Sequence, residues 1–377
     1  AQATAGSIAG VVRDTTGAVL PGVTVEAASP ALIEKVRTTI SDAQGRYNIV
    51  DLRPGTYSVR FSLAGFSTVR REGIDLSAGF AAAINGEMQV GSLSETVTVT
   101  GASPIVDVQN AQTQQVMKLE VLEALPSGAR DLSQFASLTL GVTASTAGRN
   151  DVGGDKAESN TGLSIHGGRG DDGRVNYDGM STNNFYGGGG GQQRVWKFNT
   201  IAVQETVIDT GNSSAEVETG GANVNMIPRD GGNRFSLHSI LAFTNGDFAS
   251  GKVGDSLIAR GSRDNQKSLK KVWDYGLGIG GPIAQDRLWF YSATRVWGAH
   301  NLGANNYFNK STVFYRYEAD LDRPAFSDFW QKDTQARFTL QAAAKHKISS
   351  SIAWQRACGC RLAIGLGAPS SPEATTD

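Results

Sequence analysis

From residue 233 onward the chain alternates apolar and other side chains with a period of two, over segments long enough to restrict it to β structure. Phe235, Leu237, Leu241 and Phe243 fall on one face of a strand whose other face carries Ser236, His238, Ala242 and Thr244. Trp273, Tyr275, Leu277 and Ile279 likewise oppose Asp274, Gly276, Gly278 and Gly280. The pattern returns where Ala336, Phe338, Leu340 and Ala342 oppose Gln335, Arg337, Thr339 and Gln341, and where Ile348, Ile352 and Trp354 oppose Lys347, Ser349, Ser351 and Gln355. Successive side chains of a strand point to opposite faces, so each segment is a strand with one apolar face. A soluble sandwich alternates in the same way. Two features favour an outer-membrane β-barrel: several segments approach the roughly 9–11 residues that cross a bilayer obliquely, and Trp, Tyr and Phe gather at their ends. The expected connections alternate too, long over 245–271, short over 281–286, long over 298–333 and short over 343–346. Roughly five or six strands fit, too few to close a wide barrel, so the expectation is the first part of a barrel in a longer protein.

The first 90 or so residues have a different texture. Short strands are expected over 7–13, 23–27, 35–40, 46–50 and 56–63, separated by Asp14-Thr15-Thr16-Gly17, Pro21-Gly22, Asp42-Ala43-Gln44-Gly45 and Pro54-Gly55. Gly, Pro and Asp at these spacings are turn formers, and many short strands in series suggest a β-sandwich. Between the two β segments lies a glycine-rich α+β stretch. Helices are expected over 114–125, stopped by Pro126, and after a cap at Asp131; strands are expected over 163–166, 175–177, 201–208 and 222–227.

Composition removes several classes of function. Lys plus Arg number 35 against 36 Asp plus Glu, which leaves no electrostatic case for nucleic acid. Four histidines scattered along the chain and two cysteines one residue apart match no metal-ligand spacing. No Ser/His/Asp or Cys/His constellation stands out, so neither a catalytic residue, a metal nor a cofactor is expected. The opening Ala1-Gln2-Ala3 suits the processed end of an exported chain, and a chain trimmed in another way looks the same.

One short segment links the sandwich to the glycine-rich stretch. Glu95-Thr96-Val97-Thr98-Val99-Thr100-Gly101 alternates strictly and reads as a strand with nothing local to pair with. It is a linker, an edge strand, or an extended peptide offered to another protein by strand addition.

The order of motifs now points to a family. The Asp-Xaa-Xaa-Gly and Pro-Gly turns with Gly65-Phe66 resemble a carboxypeptidase regulatory-like domain, which names a fold without an activity. Leu125-Pro126 with Arg130 and Leu132, Ser164 to Gly179 with Tyr177-Asp178-Gly179, and Gly220 to Asn225 followed by Gly231 to Phe235 resemble the plug of a TonB-dependent outer-membrane receptor of the Oar-like kind. Gly280-Gly281-Pro282-Ile283 with Asp286 to Phe290 resembles an early barrel hairpin of that family, while Arg229-Asp230 stands where Lys-Ser is more usual.

The resemblance implies a mainly β chain: a sandwich over 1–92, a TonB box and linker over 93–104, an α+β plug over 105–232 with a central hairpin in 164–179, and the first strands of an antiparallel outer-membrane barrel over 233–377. It implies energised uptake of an extracellular substrate, an oligosaccharide, peptide or siderophore, with Glu95 to Gly101 contacting TonB, barrel strands in outer-membrane lipid, and the N-terminal domain in the periplasm. Arg169, Asp171 and Asp172 in the Gly-rich turn 167–173, and Asn183, Asn184, Phe185 and Tyr186 beside the pentaglycine 187–191, are the candidate substrate contacts. Arg169-Gly170-Asp171 matches an adhesion tripeptide that a Gly-rich polar turn produces by chance, and Gly168, Gly170 and Gly173 fail as a dinucleotide loop, because no helix follows and the aspartates repel phosphate. A secreted or surface β-rich adhesion or carbohydrate-binding protein is the alternative from another class.

Overall fold

The structure is a computed structural model that describes residues 5–32, 34–91, 96–100, 113–118, 121, 138–144, 163–169, 172–182, 198–211, 217, 220–248, 255–260, 269–313, 315–343, 346–360 and 373. It is built almost wholly of strands.

The N-terminal strands are β1 (Gly6–Asp14), β2 (Thr24–Ala28), β3 (Val36–Ile40), β4 (Arg46–Leu52), β5 (Gly55–Ser62), β6 (Thr68–Leu76), β7 (Ala81–Ala83), β8 (Gly86–Met88) and β9 (Thr96–Thr100). They make two sheets, one ordered β4-β1-β7 with β8 also on β1, the other β3-β2-β5-β6-β9. Between the sheets Ile8, Val12, Val25, Leu52, Tyr57, Val59, Phe61 and Leu76 are buried in one core. Each such side chain contributes about 1.5–3 kcal/mol by leaving water. The turns form as their residue types require. Asp14 Oδ1 accepts from the N–H groups of Thr16 and Ala18, and Asp42 Oδ1 from those of Gln44 and Arg46. Gly17 and Gly45 take the positive φ that closes each turn.

The Thr-Val segment takes one of the three roles left open, an edge strand of the described sheet. Its partner is distant in sequence: β9 runs parallel to β6, with Thr68 beside Thr96 and Glu72 beside Thr100. Parallel pairing to a strand earlier in the chain leaves no hairpin signal in the sequence.

The plug contains β10 (Thr113–Lys118), β11 (Val142–Ala144), β12 (Leu163–Ile165), β13 (Arg174–Tyr177), β14 (Met180–Ser181), a single 3-10 turn at Thr200–Ala202, β15 (Val203–Gly211) and β16 (Asn223–Pro228). Its main sheet is ordered β10-β15-β16-β13-β14. Three expectations are corrected. Thr113–Lys118 is a strand where a helix is read, because antiparallel pairing to β15 supplies its backbone partners from far along the chain and buries Met117. Strands β12 and β13 do not form one hairpin with each other: β12 pairs β11, while β13 pairs β16 and β14. Residues 200–202 turn instead of opening the strand, with Asn199 Oδ1 accepting from Ile201 N–H as a cap. The helix expected after Asp131 and the pentaglycine lie outside the described residues, except that Leu138 is helical. Asp178 and Gly179 both have positive φ and make the tight β13–β14 turn, as Asp-Gly does in two-residue hairpins.

The C-terminal strands are β17 (Ser236–Asn245), β18 (Leu269–Ala284), β19 (Leu288–Asn309), β20 (Ala319–Ala343) and β21 (His346–Cys360), a five-stranded antiparallel meander. A helical turn, α1 (Asp255–Ile258), lies in the long β17–β18 connection. The expected long connection over 298–333 is mostly strand: β19 continues to Asn309 and β20 starts at Ala319, so both run well past the tryptophans. The two faces of the sheet differ. On the inner face Trp289, Tyr291, Ala293, Trp297 and Ala299 are buried. On the outer face Leu237, Leu241, Tyr275, Leu277, Ile352 and Trp354 stand open, Leu241 at 86% exposure. An open face this rich in large apolar side chains has lipid as its natural solvent. At one end of that face Lys332 and Arg356 flank the Trp330 ring, 5.3 and 5.9 Å from its centroid. Cys358 and Cys360 of β21 are joined by a disulfide.

Candidate functional site

The plug seats on the barrel wall through glycines. A Cβ on Gly276 would lie 2.1 Å from Ile201, and one on Gly278 2.6 Å from it. The glycine face of β18 is therefore a slot for the 3-10 turn of the plug. Tyr291 Oη donates to Ile201 O at 2.9 Å, Asn199 Nδ2 to Asp333 Oδ1 at 2.9 Å, and Tyr177 Oη to Gln335 Oε1 at 2.9 Å. Asparagines order the plug itself: Asn223 Nδ2 donates to Asp209 Oδ2, and Asn225 Oδ1 accepts from Gly179 N–H.

Where plug becomes barrel, the Gly231-Gly232-Asn233 motif has a mechanical reason. A Cβ on Gly231 would sit 2.2 Å from the Phe290 carbonyl oxygen. Asn233 pins the β18–β19 turn, its Oδ1 accepting from Asp286 N–H at 2.9 Å and Trp289 Nε1 at 2.8 Å.

Beside this motif three parts of the chain meet at one carboxylate. Asp230 Oδ2 lies 3.2 Å from Arg53 Nη1 of the sandwich, and Asp230 Oδ1 accepts from Arg337 Nε at 2.9 Å and Thr339 Oγ1 at 2.7 Å on β20. Arg337 Nη1 also donates to Asp178 Oδ2 of the plug turn at 2.7 Å. Burial works to raise the Asp230 pKa, but the Arg53 and Arg337 guanidiniums and the Thr339 hydroxyl outweigh it and hold the carboxyl below its ordinary range.

A second contact couples sandwich to plug. Ala78 N–H donates to Glu205 Oε1 at 2.7 Å, and Ala78 packs with Val207 and Ile227. Here burial dominates and raises the Glu205 pKa to about 7, against the opposing Ala78 hydrogen bond. A third contact, Lys35 to Asp286 at 3.2 Å, is largely exposed and adds little.

The expected site residues are distributed unevenly. Thr96 to Thr100 form β9, with Thr98 exposed; Glu95 and Gly101 lie outside the described residues. Arg169 and Asp172 are exposed on one turn, in which Asp172 N–H donates to Arg169 O. That turn precedes β13, at the opposite end from Asp178-Gly179. Asp171, Asn183, Asn184, Phe185 and Tyr186 lie outside the described residues. The Asp230 cluster and Glu205 are absent from the sequence expectation. Its one signal was the substitution of Arg229-Asp230 for the more usual pair.

Several known proteins are similar to this chain. A carboxypeptidase regulatory-like domain profile matches residues 7–89. The TonB-dependent transporter Oar of Myxococcus xanthus is 30% identical over 283 residues, 72% of this chain and 24% of that protein. The chain thus spans about a quarter of the length of that relative. Among solved structures, the outer membrane transporter YddB from Escherichia coli aligns over 65% of this chain and 33% of its own, at 13% identity and a TM-score of 0.47. The ferric enterobactin receptor PfeA from Pseudomonas aeruginosa aligns over 68% of this chain and 35% of its own, at 14% identity and a TM-score of 0.45. The chain thus carries a carboxypeptidase regulatory-like domain over residues 7–89 and is similar, over 72% of its length, to the TonB-dependent transporter Oar.

Proposed function

We propose that this chain serves energised uptake across the outer membrane, with Glu95 to Gly101 as the segment that TonB engages by strand addition. The observation that carries the reading is the position of β9: a regular Thr-Val strand at the end of a sheet, between the sandwich and the plug. Strand addition takes its affinity from main-chain hydrogen bonds, and an edge strand offers them. The open apolar face of the meander then lies in outer-membrane lipid. The sandwich, on the side of the short β18–β19 turn that Lys35 touches, lies in the periplasm. Substrate, an oligosaccharide, peptide or siderophore, meets the opposite end, where Arg169 and Asp172 lie; Asp171 and Asn183 to Tyr186 are the further candidates for its contacts. The domain limits 1–92, 93–104, 105–232 and 233–377 follow from the same reading.

The test uses Val97→Pro in the complete receptor, with the purified periplasmic domain of TonB as probe. Proline removes a ladder donor from the box. Binding of TonB should weaken at least about tenfold, a loss of about 1.4 kcal/mol. Equal binding by parent and variant refutes the assignment.

A further inference from the structure

We propose that TonB adds its strand to the outer edge of β9 while β9 stays paired to β6, so that the partner grips the sandwich and not a free peptide. This rests on the reading of the Thr-Val segment as the TonB contact and specifies how that contact is presented.

Three observations support it. The β6–β9 ladder is unbroken, with Thr68, Val69, Arg70, Arg71 and Glu72 beside Thr96, Val97, Thr98, Val99 and Thr100. Such a strand directs the backbone N–H and C=O groups of alternate residues to its neighbour and the remainder away from it. Docking on β6 therefore satisfies half of the backbone groups of β9 and leaves the other half at the edge of the described sheet. Second, that edge is undefended among the described residues. Natural edges are blunted by charge, proline or bulges, and the opposite edge of this sheet, β3, carries Arg37, paired with Glu34 and Asp51. Strand β9 is uncharged and regular, the chemistry of an edge meant to receive another strand. Third, a strand already extended and held in register loses less conformational entropy on binding than a free segment does.

The consequence is mechanical. A pull on β9 loads the sandwich, which reaches the plug through Ala78–Glu205 and the plug–barrel junction through Arg53–Asp230.

The experiment locks β9 in place. Arg70 and Thr98 are register partners and both are exposed. Arg70→Cys with Thr98→Cys in the complete receptor should form a disulfide across the ladder, read as a linked peptide by mass spectrometry. Cys358 and Cys360 are bonded to each other and do not compete. Binding of the purified TonB periplasmic domain is measured before and after reduction, with the parent and each single variant treated alike. The proposal expects the locked receptor to bind within about twofold of the reduced one. Loss of binding on oxidation, restored by reduction, overturns it. Failure to form the cross-link overturns it too, since β9 is then not on β6. Val97→Pro separates the two readings: if it binds TonB as the parent does, the box assignment itself has failed; if it does not while the locked receptor also fails, only the docked geometry has.

Discussion

The Asp230 junction makes a quantitative prediction about how firmly the sandwich is held. Asp230→Asn keeps the side-chain shape and removes the charge that two guanidiniums share. Arg337 retains Asp178 at 2.7 Å, so plug and barrel stay joined. Arg53 loses its carboxylate at 3.2 Å, and its Nη2 is already buried without a hydrogen-bond partner. The Arg53 and Asp230 side chains are 17% and 19% exposed, closer to buried than to surface pairs. Breaking a fully buried pair costs about 3–5 kcal/mol and a surface pair contributes about 0–1, which brackets this junction near 2 kcal/mol. That corresponds to about a thirtyfold larger undocked population.

Hydrogen exchange of the complete receptor, followed at residues 51–54 and 228–233, reads this population directly. A double-mutant cycle with Arg53→Met isolates the pair, because the methionine keeps much of the apolar stem. The two substitutions should be non-additive by at least about 1 kcal/mol, with strand β20 protected as in the parent. Additive effects would mean that Arg53 and Asp230 are merely near each other, and the junction would not be a latch.

Three further outcomes follow from the same contacts. Glu205 holds its proton in the folded state up to about pH 7, while its ordinary value is 4.5, so between those limits the folded state binds more protons than the unfolded one. Stability of the sandwich–plug unit should therefore fall as pH rises through that window, by up to about 3 kcal/mol; Glu205→Gln should flatten the thermal-midpoint profile from pH 5 to 8, and a profile unchanged by it sinks the assignment. Gly278→Val should force plug and wall apart, since a Cβ there meets Tyr291 Oη at 2.4 Å and Ile201 at 2.6 Å; overpacking of about 1–3 kcal/mol lowers the midpoint of the heat-dependent gel shift, and a parental midpoint would show that the slot is loose. Asn233→Ala orphans the buried Trp289 Nε1 and the Asp286 N–H. A lower urea midpoint in tryptophan fluorescence, by about 1–3 kcal/mol of stability, is expected, and no change contradicts the pinning role.

How far the sequence revealed this molecule depended on the range of each interaction. Asp14 and Asp42 form turns with residues two and four positions away, so the sandwich strands fall where local chemistry puts them. The barrel strands were legible because period-two alternation is a property of each strand alone, although their full reach beyond Gly298 was not, since β19 keeps no clean alternation there. The glycines of β18 were visible as a face but not as a slot, because Ile201 supplies the other half from far away in sequence. Residues 113–118 were misread for the same reason: their pairing to β15 overrides a composition that suits a helix.

The Thr-Val strand shows the limit most sharply. Its alternation stated that it would be extended, and left three roles open. Only the parallel register with β6 separates them, and it joins two of the three: an edge strand of the sandwich can also be the strand offered to a partner. A free handle would pass force to the plug through its tether alone. A docked one, as proposed, would pass it also through the sandwich, to Glu205 in the plug and to Asp230, which ties Arg53 to Arg337 of the barrel wall. Asp230, one of the two residues that depart from the resembled pattern, would sit where that second path ends. A receptor with serine in place of Asp230 would keep its plug seated through Ile201 and Asn199 and lose the ionic tie to the sandwich.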